Sequence, residues 1–232
     1  MYKSLPINYF SFVIVSVVVT FALLLSVFFA FEPVVAAAVT DDFTVRQQIT
    51  AEISFATSAN NITMDSTIAG LTGGNANGTT TVAVRTNSST GYTMTIQFAS
   101  SSAMEEEAGP AYIPNYAPVV GGTPDYNFAT MGTGQAGFAY SIYAETSASD
   151  AATKFRNNGS ACNISTGSTL GKCWYNATDA TTPVQIINRS SETPITGATT
   201  TVAFQVGVGT NPSPILPSGF YTATTTLTAV VQ

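Results

Sequence analysis

After residue 38 the chain alternates apolar and polar residues over most of its length, with a period of two. The clearest case closes the sequence. Tyr221, Ala223, Leu227, Ala229 and Val231 are apolar, while Thr222, Thr224, Thr226 and Thr228 carry hydroxyls. Successive side chains of a strand point to opposite faces, so this pattern predicts a strand with one buried face. Thr200, Val202, Phe204, Val206 and Val208 predict another. The proline-stiffened turn 209–219 between them predicts that the two pair as a hairpin, which makes the last strand the closing strand of its own domain. At the other end Phe43, Val45, Ile49, Ala51, Ile53 and Phe55 share one face and predict a long strand over 43–55, or two joined by a bend. That segment is the better candidate for exchange with another copy, because an extended strand can add to an exposed sheet edge.

Between these ends, Thr80, Val82 and Val84 lead into the turn "TNSSTG", and Tyr92, Met94, Ile96 and Phe98 follow it. Residues 79–86 and 91–99 therefore read as a β-hairpin. Ile62 and Met64 predict a short strand, "AGLTGGNANG" (69–78) a glycine-rich loop, and Phe138, Tyr140 and Ile142 another strand. "TPVQII" (182–187) predicts one more, and "SDAATKFRNNG" a short helix capped by Ser149 or Asp150. Residues 100–135 and 145–180 have no sustained period and read as irregular excursions, the first with short edge strands. No segment after residue 38 keeps a helical period over three turns. The expected fold is all-β: an antiparallel β-sandwich of about 7–9 strands with long irregular loops, preceded by one N-terminal hydrophobic helix.

That helix is read from Lys3 followed by the almost uninterrupted apolar run Tyr9–Phe31, which Glu32 and Pro33 break. Ala36 and Ala38 then supply the small-residue pattern of a signal-peptidase site, so residues 1–38 read as a signal peptide cleaved after Ala38. The competing reading is an uncleaved anchor over residues 9–31, long enough to cross a bilayer. Both readings export residues 39–232 as one domain, secreted or at the cell surface, with the N-terminal segment as its sole contact with membrane.

Charge narrows the partners. The chain carries a net charge of −6, and its few Lys and Arg are scattered, which argues against nucleic acid and anionic lipid. Seven Asn-x-Ser/Thr sequons matter where the host glycosylates asparagine. Cys162 and Cys173, the two cysteines of an exported chain, predict a disulfide. The chain has no histidine, which excludes Ser-His-Asp and Cys-His chemistry. Scattered carboxylates keep a carbohydrate-active hydrolase open as the alternative. "GLTGGNANG" lacks the Lys-Ser/Thr of a phosphate loop. Asp41, Asp42, Glu105, Glu106, Glu107 and Asp125 are the oxygen ligands a calcium ion would use. They show no Asp-x-Asp-x-Asp spacing, so a solvated acidic loop is the simpler reading and no cofactor is expected. Lys154 and Lys172 are the candidates for a Lys–Asn cross-link, although both lie in or near the polar disulfide loop. Trp174 and Tyr175 are the candidate ligand-contact aromatics, with packing against the disulfide as the plainer role.

The closing "PSGFYTATTTLTAV" resembles the Gly-x-Tyr-x-x-x-x-x-Thr ending of bacterial secreted surface β-sandwiches. These include WxL-like cell-wall proteins, pilin- and spore-coat-like subunits, and surface proteins of candidate-phyla bacteria. "ITAEISF" and "GLTGGNANGTTTVAVRTNSSTGYTMTI" are similar to the opening strands of the last group. Trp174 is followed by Tyr175 and Asn176, so the Trp-x-Leu motif is missing, and no Leu-Pro-x-Thr-Gly sorting signal is present. The resemblance implies a structural or adhesive role. The expectation is a non-enzymatic surface protein acting by binding or assembly, adhesin-like or pilin-like. Its partner would be a surface glycan, another protein or copies of itself.

Overall fold

In a computed structural model of the chain, residues 8–29, 39–164, 166–177 and 181–232 are described. Ala36 and Ala38 lie outside them. The chain divides into two compact units, residues 1–48 and 49–232.

The first unit contains helix α1 (Asn8–Phe29), an apolar helix with no acidic residue in its first turn and no basic one in its last. Its described side chains span residues 11–27 and are all exposed. Among the described residues no helix is long and apolar enough to cross a membrane. Residues 39–48 have no regular structure, with Val39, Phe43 and Val45 more than 80% exposed.

Among its described residues the second unit has eleven strands: β1 (Ile53–Thr57), β2 (Gly74–Thr86), β3 (Tyr92–Phe98), β4 (Met104–Glu106), β5 (Tyr112–Ile113), β6 (Ala136–Ala144), β7 (Tyr175–Asn176), β8 (Val184–Arg189), β9 (Ala198–Val208), β10 (Tyr221–Thr222) and β11 (Thr225–Val231). They form three sheets, β1-β2-β9-β6-β7, β10-β4-β5 and β11-β3-β8, and every ladder is antiparallel. The expected β class therefore holds, with one N-terminal helix.

Burial follows the period of two. In β3, Tyr92, Met94, Ile96 and Phe98 are buried and the residues between them half-buried. They join Val82 and Val84 of β2, Phe138, Tyr140 and Ile142 of β6, Ile186 and Ile187 of β8, and Val202, Phe204 and Val206 of β9 in one core. Each fully buried large apolar side chain contributes about 1.5–3 kcal/mol relative to exposure, so this row of side chains is what fixes the strands' faces. β9, central in its sheet, is buried on both faces. Its outer face is covered by a smaller cluster in which Tyr116 and Trp174 pack on Ala139 and Ala203, with Phe128 and Met131 beside them. The irregular stretch 100–135 thus folds back over the sheet.

Several sequence expectations are corrected. Residues 79–86 and 91–99 are strands but not a hairpin, because β2 and β3 belong to different sheets. Gly91, at φ +79°, turns the chain from one sheet to the other, and a Cβ there would run into the backbone of Arg189 and Ser191. The final strand does not pair with 198–208. Both edges of β9 are already occupied by the long β2 and β6 ladders, so β11 pairs with β3, Thr225 opposite Phe98 through Val231 opposite Tyr92. The strand expected over 43–55 begins only at Ile53. The glycine-rich 69–78 is a loop only as far as Gly73, since β2 starts at Gly74 and pairs there with Val208 of β9. Ile62 and Met64 form no strand, although they are partly buried against the core. The helix expected after Ser149 is replaced by two 3-10 turns, Ala148–Asp150 and Thr153–Phe155. Ser147, not Ser149 or Asp150, precedes the first of them and makes no side-chain cap, so nothing nucleates a longer helix.

Candidate functional site

The second unit carries an open groove of about 870 Å³. Its wall includes Ser101, Asn115, Lys154, Asn163, Tyr175 and Gln185. Lys154 is placed by the turn Thr153–Phe155, which is anchored by the fully buried Phe155 between the rings of Tyr140 and Tyr175. Its ammonium lies 4.6 Å from the centre of the Tyr175 ring, within cation–π range. Asn115 is fixed by the loop it holds: its amide donates to the Ser101 carbonyl at 2.6 Å, and its oxygen accepts from the Ala103 N–H at 3.1 Å. The described lining of the groove contains hydroxyls, amides and one cation, and no carboxylate. Such a surface suits hydrogen bonding to a polyhydroxylated or weakly anionic ligand.

The disulfide holds one wall of this region. Cys162 and Cys173 are bonded, with Cα atoms 5.6 Å apart and Cys173 fully buried. Asn157 organises the loop they close. Its N–H donates to the Gly167 carbonyl at 2.7 Å, and its side-chain oxygen accepts from the Gly159 N–H and the Thr169 hydroxyl. Trp174 and Tyr175 follow directly and point to opposite faces of the sheet, as neighbours in a strand do. Tyr175 is buried in the main core and borders the groove; Trp174 is buried on the other face, edge-on to Phe128, and donates to the Gly171 carbonyl at 3.0 Å. The two aromatics therefore do not share a surface, and of the pair Tyr175 is the one at the groove.

The acidic residues named as calcium candidates make separate local contacts. Asp125 accepts from the Tyr116 hydroxyl and from the Val119 N–H at 3.0 Å. Burial, followed by that hydrogen bond, pushes the Tyr116 hydroxyl up to about 12. Glu105 accepts from Ser100 at 2.6 Å and Glu107 from Thr222, so both carboxylates brace the β4–β10 region. Asp41 and Asp42 belong to the first unit. Among the described residues no three His, Cys, Asp or Glu side chains gather as a metal site would require. Lys172 donates to Asn127 at 2.6 Å at an exposed position and lies 4.8 Å from the centre of the Tyr126 ring.

A second feature is the edge of the β11-β3-β8 sheet. In β11 the odd residues are half-buried and the even ones exposed. The flanking bonds, Ala99 N–H to the Thr224 carbonyl and Gln232 N–H to the Gly91 carbonyl, show that even positions bond to β3. Peptide groups alternate sides along a strand, so those of Thr225, Leu227, Ala229 and Val231 point outward from the sheet. Neither this edge nor the groove was legible beforehand: the first depends on which strand β11 pairs with, the second on loops with no periodic signal. No protein-family model, curated protein or solved structure matches the chain.

Proposed function

We propose that this chain is an exported surface protein whose β-domain acts by assembly or binding rather than by catalysis. The observation that carries the reading is the segment 39–52. From Phe43 onward it alternates apolar and polar residues as a strand does, interrupted on the apolar side only by Gln47; the segment takes part in no ladder and leaves Phe43, Val45 and Ile49 more than 80% exposed. A row of exposed apolar residues on a strand-like segment is the feature that partner chains use. The groove adds a mixed surface whose described lining offers hydroxyls, amides and a cation and holds no carboxylate, which in this reading serves binding. In this reading the β1-β2-β9-β6-β7 and β11-β3-β8 sheets are the two layers of a sandwich, and residues 1–38 export the domain, either as a cleaved signal peptide or as an anchor through 9–31. The reading requires no cofactor.

Surface labelling of intact cells, followed by native sedimentation of the labelled protein, tests this. The expected result is labelled protein in assemblies larger than one copy or bound to a partner. Protein found inside the cell, or labelled but monomeric and unbound, would sink it.

A further inference from the structure

We infer that residues 43–52 of one copy add as a strand to the β11 edge of a second copy. The inference rests on the assembly reading above and names the two surfaces that meet.

The acceptor is identified by comparing the edges of the second unit. The β8 edge is covered, since Ala151 bridges Ile187 and the Ala152 N–H donates to the Ile186 carbonyl at 2.8 Å. β7 is two residues long and is continued by Trp174, which bridges Asp125. β1 loses its register between Phe55 and Thr57, a break that discourages further pairing. β5 and β10, the edges of the small sheet, are two residues each. β11 has none of these devices; β1 lies near it but forms no ladder with it. Its seven residues pair with β3 without a register shift, and Thr225–Val231 contains no charged residue and no proline, the usual devices that block edge pairing. The residues whose peptide groups point outward are also the ones whose side chains are only half-buried. The core is therefore incompletely covered along this edge.

The donor has the matching pattern. Phe43, Val45, Ile49 and Ala51 lie on one face, with Gln47 the one polar residue among them, and Thr44, Arg46, Gln48 and Thr50 lie on the other. Laid beside β11, the apolar face extends the core under Leu227 and Ala229, and the polar face continues the exposed row of Thr226 and Thr228. Ten extended residues reach about 33 Å, more than β11 requires. The acceptor belongs to a second copy because the donor is held straight where it leaves β1. The Asn87 side chain accepts from the Glu52 N–H at 2.7 Å and donates to the Thr50 carbonyl at 3.0 Å. No glycine or proline lies between Val39 and Ser58 to reverse the chain.

The test uses full-length protein in detergent. Among the described residues there is no free cysteine, so introduced thiols report alone. One tagged chain carries Arg46→Cys or Gln48→Cys, and a differently tagged chain carries Thr228→Cys. The expected result on mixing and mild oxidation is a disulfide between the two tags. Absence of that band, or a bond formed only within a chain carrying both substitutions, would overturn the inference. In parallel, Val45→Asp/Ile49→Asp alters exposed side chains alone. Ala229→Pro removes one outward N–H while keeping the β3 ladder. Each is expected to raise the concentration needed for assembly at least tenfold; should Ala229→Pro fail to fold, the arm variant still decides. Assemblies that persist unchanged would overturn the arm-to-edge contact and leave the assembly reading standing. Monomers at every concentration, in the parent protein as well, would overturn both.

Discussion

Leu227 of β11 stands directly opposite Ile96 of β3, yet Ile96 is 1% exposed while Leu227 is only half-buried. One residue pair thus records the boundary of the core: Ile96 has a strand on each side, and Leu227 has one on a single side. Ile96→Ala is expected to cost about 3–4 kcal/mol, within the usual range for a large-to-small core change, and Leu227→Ala about 1–2. Urea unfolding of the two variants measures both. Equal losses would mean that the β11 edge is as closed as the centre of the sheet.

The Cys162–Cys173 bond closes a loop with a sequence separation of 11. Loop-closure entropy gives such a cross-link about 2–3 kcal/mol. Cys162→Ala/Cys173→Ala is expected to lose about that much in denaturant unfolding. Its loop 163–172 is expected to become the first site of limited proteolysis. A variant equal to the parent in both respects would show that Asn157 and its hydrogen bonds hold the loop unaided.

Tyr140 is fully buried, and its hydroxyl has no hydrogen-bond partner among the described residues. Its ring packs against Phe98, Phe155 and Tyr175. An unsatisfied buried hydroxyl carries its desolvation penalty without return. Tyr140→Phe keeps the packing, so it is expected to leave stability unchanged or raise it by up to about 1 kcal/mol. A loss above about 1 kcal/mol in urea unfolding would reveal a partner for the hydroxyl.

Burial, and next the nearby Asp150 carboxylate, lift the Tyr92 hydroxyl from 10.0 to about 12. Tyr116 is lifted equally, by burial and then by Asp125. A raised value in the folded state means that the unfolded chain gives up its proton first. The stabilisation is therefore complete below pH 10 and is lost as pH rises toward 12. The unfolding temperature is expected to hold from pH 8 to 10 and then fall. Tyr92→Phe should make that fall shallower; a parent curve flat to pH 12 would contradict the assignment.

The β class was legible because a period of two needs only the local chain: Tyr92, Met94, Ile96 and Phe98 must share a face wherever β3 is placed. The disulfide was legible because two cysteines close in sequence, in a chain with no histidine to complete a metal site, have few alternatives. The pairing of strands was not, since ladder hydrogen bonds are made by backbone groups common to all residues. β2 and β3 look like a hairpin in sequence, and only the competition for the edges of β9 separates them.

The sequence by itself determined which faces of the strands are apolar, that α1 is an apolar helix, and that 43–51 alternates, because side-chain hydrophobicity and strand geometry are local properties. The tertiary structure decided where those faces are used. Ile53 onward finds a partner strand in β2 and residues 39–52 do not. Tyr175 reaches the groove while Trp174 turns away, and β11 closes onto β3 with its outer side open. These outcomes depend on which neighbours occupy the limited edges and faces around one core, and no segment of the chain carries that information alone.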